Sequence, residues 1–194
     1  VSLYGQPMAQ GESAAASAEA FVARRHQTLG VAPEALRPGV DYGDGAPAVG
    51  LLYDRDRAAH RFTLLRYSQH VGDVPVFRSE LKVLVRNEPG FPVVLANSSL
   101  RDLRGYALPA IAEGPIDEGV VQAAAAEALG PGATIDGEAD LVVWAGNASI
   151  DAPTLAIRLT AVRGTPHSPG YDRRLLLVER STGRVVFSET QIYH

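Results

Sequence analysis

Along the chain, apolar residues switch twice from a helical spacing to an alternating one. Residues 13–29 (SAAASAEAFVARRHQTL) are Ala-rich and bring Ala18, Phe21, Val22 and Leu29 near one stripe. That spacing predicts a helix, with Gly30 as its stop. Pro33-Glu34-Ala35-Leu36 adds one more turn, and the Pro- and Gly-rich stretch 37–48 reads as loop. Alternation then takes over, with a short strand over 49–53. A second strand, over 60–70, alternates imperfectly through Phe62, Leu64, Arg66 and Ser68. A long third one, over 74–86, puts Leu81, Val83 and Val85 on one face and Lys82, Leu84 and Arg86 on the other. Asn87-Glu88-Pro89-Gly90 is a turn, and 91–96 returns as a strand.

Near 104–117 the composition changes: Gly105, Pro109, Gly114 and Pro115 mark a linker. A second helix follows, with Asp117 as its N-cap, an apolar stripe of Val120, Val121, Ala124, Ala128 and Leu129, and Gly130-Pro131-Gly132 as its stop. Segments 140–145, 154–162, 171–179 and 184–193 read as strands, the last two joined by a hairpin turn at Ser181-Thr182-Gly183. A helix followed by strands thus occurs twice. The pattern predicts an α+β fold of two helix-plus-antiparallel-sheet units, with domains over 1–108 and 109–194.

Composition narrows the function classes. At 194 residues, 46% apolar and 21% charged, the chain has the balance of a soluble globular protein. A net charge of −4 argues against a nucleic-acid partner, which needs clustered Lys and Arg. The absence of Cys removes disulfides, thiolate metal sites and Cys nucleophiles. No run approaches the roughly 18 apolar residues of a membrane span, so no membrane partner is expected.

No catalytic motif is found. There is no His-Glu-x-x-His, and the histidines at 26, 60, 70, 167 and 194 have no partner four residues away for a zinc pair on a helix. No Gly-x-Ser-x-Gly elbow is present. Asp41-Tyr42-Gly43-Asp44-Gly45 and Asp54-Arg55-Asp56 lack the twelfth-position Glu of an EF-hand and read as solvated loops. The chain is expected not to be an enzyme.

The stretch 66–85, RYSQHVGDVPVFRSELKVLV, carries more than a solvated hairpin needs. Arg66, Tyr67 and Gln69 lead into Gly72, then Pro75-Val76-Phe77, then Glu80 at the start of an alternating strand. This series resembles the core of the FTP domain, the first half of the propeptide of thermolysin-like and fungalysin-like zinc metalloproteases. The helix containing Ala20-Phe21 resembles the one that opens that region. The later series, a helix over 117–129, Leu141-Val142-Val143-Trp144 and the Thr182-Gly183-Arg184-Val185 hairpin, resembles the PepSY-like second half. Glu179-Arg180 departs from the Asp-Ala usual there.

The resemblance implies an FTP-like domain over 1–108 and a PepSY-like domain over 109–194. It implies a non-catalytic, secreted propeptide, part of a longer precursor, that acts as folding chaperone and inhibitor of a metalloprotease catalytic domain, in cis or after cleavage. No cofactor is expected in this chain; zinc and calcium belong to the cognate protease domain. The terminal residues Gln191, Ile192, Tyr193 and His194 are expected to contact the protease, a strand-like tail entering the substrate groove by β-addition. Arg66, Gln69 and Glu80 are expected to support the hairpin, by satisfying buried backbone groups or by pairing across it with Glu80. The competing expectation is a stand-alone secreted or periplasmic PepSY/FTP-type module that binds a peptide or protein and has no linked peptidase.

Overall fold

The fold was analysed in a computed structural model, which describes residues 2–4, 7–40, 45–103, 105–146 and 152–192. The expected α+β class, two helix-plus-antiparallel-sheet units, is overturned. The chain is mostly sheet, 43% strand against 19% helix, with two α-helices among the described residues. The helical periods are the strongest local signals, so they weigh heavily in a reading of pattern. Much of the strand content instead comes from long-range pairing, and some of it lies in segments too short to show any period.

Two compact units divide the chain, Val1–Leu103 and Arg104–His194. In the first, helix α1 (Ala14–Leu29) starts where the Ser13 hydroxyl accepts the Ala16 N–H and ends at Gly30, whose φ of 70° is the left-handed conformation that glycine adopts without strain. Strands β1 (Ser2–Tyr4), β2 (Leu36–Pro38), β3 (Ala48–Asp54), β4 (Ala59–Val71), β5 (Val74–Arg86) and β6 (Val93–Ser98) pair antiparallel throughout. Their order is β1–β6–β5–β4, with β2 and β3 both along the far side of β4. The core lies between α1 and one sheet face. It holds Ala18, Phe21 and Val22 of the helix against Leu65, Tyr67, Leu81, Val83, Val85, Val93 and Ala96. The three alternating residues of β5 read from the sequence are therefore its core-facing set. Pro33–Ala35, read as one more turn, forms a single 3-10 turn, and Leu36–Pro38, which runs into the stretch read as loop, pairs instead with Tyr67–Gln69 of β4.

In the second unit, helix α2 (Glu118–Leu129) is capped by Asp117, whose carboxylate accepts the N–H of Gly119 at 2.8 Å. Strands β7 (Thr134–Ile135), β8 (Asp140–Trp144), β9 (Thr154–Arg163), β10 (Asp172–Glu179) and β11 (Val185–Thr190) follow. Both β7 and β8 pair with β9, β9 pairs with β10, and β10 with β11, all antiparallel. Val121, Ala124, Ala125 and Leu129 of α2 pack with Ile157, Leu159, Ala161, Leu176 and Val178.

Candidate protein-docking surface

The hairpin β4–β5 turns on two residues, Gly72 and Asp73, since Val71 pairs with Val74. Gly72 has φ 57°, the positive value that the first position of a type II′ turn requires. Arg37 holds the turn from the side, donating to the Gly72 carbonyl at 2.6 Å and to the Asp73 carboxylate at 2.8 Å.

Just below this turn the ladder breaks. Ser68 pairs with Glu80 and His70 with Pro75, so β4 places the single residue Gln69 opposite the four residues Val76, Phe77, Arg78 and Ser79 of β5. Such a bulge re-aims side chains and bends its strand. Arg78 takes up the bend with φ 53°, a conformation that costs a non-glycine residue about 1 kcal/mol. Val76 and Phe77 are buried, and the Arg78 guanidinium lies 5.1 Å from the centre of the Phe77 ring.

Gln69, only 2% exposed, organises the interior of the bulge. Its amide nitrogen donates to the Arg101 carbonyl and its amide oxygen accepts the Arg101 N–H, both at 2.9 Å. The Ser79 hydroxyl donates to the same oxygen. Two residues earlier, the Ser99 hydroxyl accepts the Glu80 N–H at 3.0 Å. The chain beyond β6 is thus tied to the bulge by one backbone bond, from the Ser99 N–H to the Glu80 carbonyl at 2.9 Å, and beyond it by side chains that extend the ladder.

The motif residues separate accordingly. Gln69 satisfies backbone groups, one of the two roles expected for it. Neither Gln69 nor Arg66 pairs with Glu80; the Glu80 carboxylate instead meets Lys82 at 2.9 Å on its own strand, where alternation places residues two apart on the same side. Arg66 lies opposite Lys82 on the outer face, and its Nε has no hydrogen-bond partner among the described residues. Tyr67 is in the core, where burial, with the Glu19 charge adding to it, raises its phenol pKa above the ordinary value. Ser79, Ser99 and Arg101 escaped the sequence reading. A Ser or a backbone amide in a loop has no pattern of its own.

The face of this sheet turned away from α1 carries an apolar row. The register places Val49 beside Leu64, Leu64 beside Leu84, Leu84 beside Leu95, and Leu95 beside Tyr4. Val49, Leu64 and Leu84 are half-buried, whereas Leu95 is 36% and Tyr4 82% exposed. The next row on one side, Arg66, Lys82, Asn97 and Ser2, is polar; the row on the other side, Leu51, Phe62 and Arg86, continues the apolar surface and ends in Arg86, paired with Glu88 at 3.2 Å. An apolar surface bordered on one side by a polar row and closed on the other by an ion pair suits a protein-recognition surface. Asn97 donates from its amide to the Ser2 hydroxyl at 2.8 Å. At the outer edge, β3 skips a residue at Leu52, which has φ 55°, and leaves Leu52 and Tyr53 exposed.

The expected protease-contacting tail lies in the second unit. The Gln191 N–H donates to the Arg173 carbonyl at 2.8 Å, continuing the β10–β11 ladder, and Arg173 donates back to the Gln191 side chain at 3.3 Å. Gln191 and Ile192 border an open groove of about 600 Å³ with His167 and Tyr171. Tyr193, His194 and the acidic 41–44 stretch lie outside the described residues. Arg180, where the resemblance departs from its pattern, donates to the carbonyls of Ile111, Gly114 and Pro115 at 3.0, 2.8 and 2.7 Å. Among the described residues, no three His, Asp or Glu side chains gather closely enough to hold a metal ion.

No family model matches the chain, and no curated protein matches it. Among solved structures it is similar to the Bacillus megaterium YpeB C-terminal domain. The similarity has a TM-score of 0.40 and 13% sequence identity, and covers 100% of this chain and 72% of that one. At that score and identity the similarity is distant.

Proposed function

We propose that this chain is a protein-binding propeptide module that folds against the catalytic domain of a secreted zinc metalloprotease and inhibits it. The observation that carries this reading is the apolar row Val49–Leu64–Leu84–Leu95–Tyr4 across the outer sheet face. The resemblance of the 66–85 hairpin and the Thr182-Gly183 hairpin to FTP and PepSY-like propeptide regions supplies the identity of the partner.

The action follows from elementary terms. Covering an exposed Leu side chain contributes about 1.5–3 kcal/mol at most, so a few such anchors in one row suffice for a specific contact. A rigid sheet loses little freedom on docking, so it favours the partner's native surface over its unfolded chain. That preference is what a folding template needs, and the same contact persists as inhibition once the partner has folded. The tail adds a separate contact: β11 ends at Thr190, and residues 191–194 are assigned to the partner's substrate groove.

The test is to titrate the chain into a thermolysin-like catalytic domain and to co-refold the two. Saturable inhibition and a higher refolding yield are expected. The Leu84→Arg and Leu95→Arg variants are expected to lose both while keeping the fold. A chain lacking residues 191–194 is expected to inhibit more weakly but still to assist refolding. No complex and no inhibition, with correctly folded chain, overturns the reading.

A further inference from the structure

A second surface, on the other unit, points to a partner of defined chemistry. Between the first half of α2 and the segment around β7 lies an open groove of about 700 Å³. Its apolar lining is Ile116, Val121, Ile135 and Ala139, with Val121 buried and the others half-buried. Its charged groups are Glu118 and Glu138, both exposed, and among the described residues no Lys, Arg or His lines it.

The surroundings sharpen the contrast. Asp136, next along from Ile135, is neutralised by Arg173 at 3.0 Å, and Asp140 by Arg158 in a two-pronged contact. Glu118 and Glu138 have no ion-pair partner among the described residues. The groove is preformed: Gln122 donates to the Ala133 carbonyl at 2.7 Å, tying the helix to the chain that enters β7. Gly119 and Gly137 keep its lip low, and at Gly137 the φ of 83° also disfavours any side chain.

We infer that this groove takes a basic, apolar-flanked segment of a partner protein, an Arg or Lys set between the two carboxylates and a neighbouring apolar side chain laid on Ile116, Val121 and Ile135. An apolar floor favours an aliphatic stem, and two unneutralised carboxylates favour a cationic head, the combination that Arg and Lys side chains offer. The volume is in the range of pockets that hold small ligands or a few side chains. This inference rests on reading the chain as a protein-binding module and names what a second surface of it recognises.

The probe is the peptide acetyl-Leu-Arg-Leu-Arg-amide, titrated into the full chain and followed by amide chemical shifts. Saturable shifts are expected at Gly119, Gly137 and the Gln122 side chain. Glu118→Gln with Glu138→Gln is expected to weaken binding about tenfold, since both charge-assisted contacts are lost. Glu138→Gln alone, which leaves helix α2 intact, is expected to give a smaller loss in the same direction. Acetyl-Leu-Glu-Leu-Glu-amide, acetyl-Gly-Arg-Gly-Arg-amide and spermidine are expected to bind much more weakly. Equal binding of spermidine or the Gly-Arg peptide overturns the inference, because charge alone would then suffice. Shifts located elsewhere, or none, overturn it as well. Inhibition of a protease that survives while the peptide fails removes this groove and leaves the proposed function standing; the reverse outcome does the opposite.

Discussion

Gln69 and Arg101, 32 residues apart, are joined as if by a rung of a β-ladder: one side-chain amide serves both the N–H and the C=O of one backbone residue at 2.9 Å each. The bond pair closes the bulge of β4–β5 and anchors the chain that leaves the first unit. Gln69→Ala leaves two backbone groups and the Ser79 hydroxyl without their partner. A loss of about 2 kcal/mol is expected in urea unfolding, with part of the loss recovered where water reaches Arg101. Gln69→Glu gives a more pointed result. A carboxylate accepts the Arg101 N–H but opposes the Arg101 carbonyl, whereas the protonated acid donates to it. The variant's carboxyl pKa is therefore raised in the folded state, and its stability, greatest at low pH, is expected to decline as pH rises through that pKa.

His70 follows Gln69 and sits half-buried beneath the turn. Burial lowers its pKa below the ordinary 6.5 and Arg37 adds to this, while the Ser68 carbonyl and Asp73 pull the other way. A base with a lowered folded pKa favours the neutral form. The stability it contributes is present above about pH 6.5 and is lost as pH falls through the lower folded value. Urea midpoints measured from about pH 8 down to about pH 5 are expected to fall, and His70→Asn is expected to flatten that part of the curve.

Leu81 and Leu84 lie on the same strand and face opposite ways. Leu81 is fully buried against α1, whereas Leu84 sits in the outer row. Leu81→Ala is expected to cost about 3 kcal/mol through lost transfer energy and the cavity left behind. Leu84→Ala removes less buried surface and is expected to cost about 1 kcal/mol. Denaturation and partner binding measured on both variants separate the roles: Leu84→Ala impairs binding more than folding, and Leu81→Ala the reverse.

Arg180 gathers three backbone carbonyls of the 111–115 segment. Arg180→Ala is expected to lower stability by about 1 kcal/mol, since the site is exposed to solvent, and to speed amide exchange across 110–116. Lys is not expected to rescue it, because a single ammonium does not span three acceptors as a planar guanidinium does.

The sequence by itself determined what is local. The 3.6-residue and two-residue spacings located both helices and the long strands, and the capping residues Gly30 and Asp117 set a helix end each to within a residue. The inward set Leu81, Val83, Val85 and the outward set Lys82, Leu84, Arg86 follow from the alternation of one strand. Only the tertiary structure decided what depends on partners distant in the chain. The balance of strand over helix, the rungs made by β1, β2 and β7, the outer row from Val49 to Tyr4, and the choice of Arg101 over Glu80 for Gln69 all rest on register between strands. A side chain's period names the face it occupies; which residue stands opposite is fixed by bulges and loop closure, and a single sequence carries no periodic signal for either.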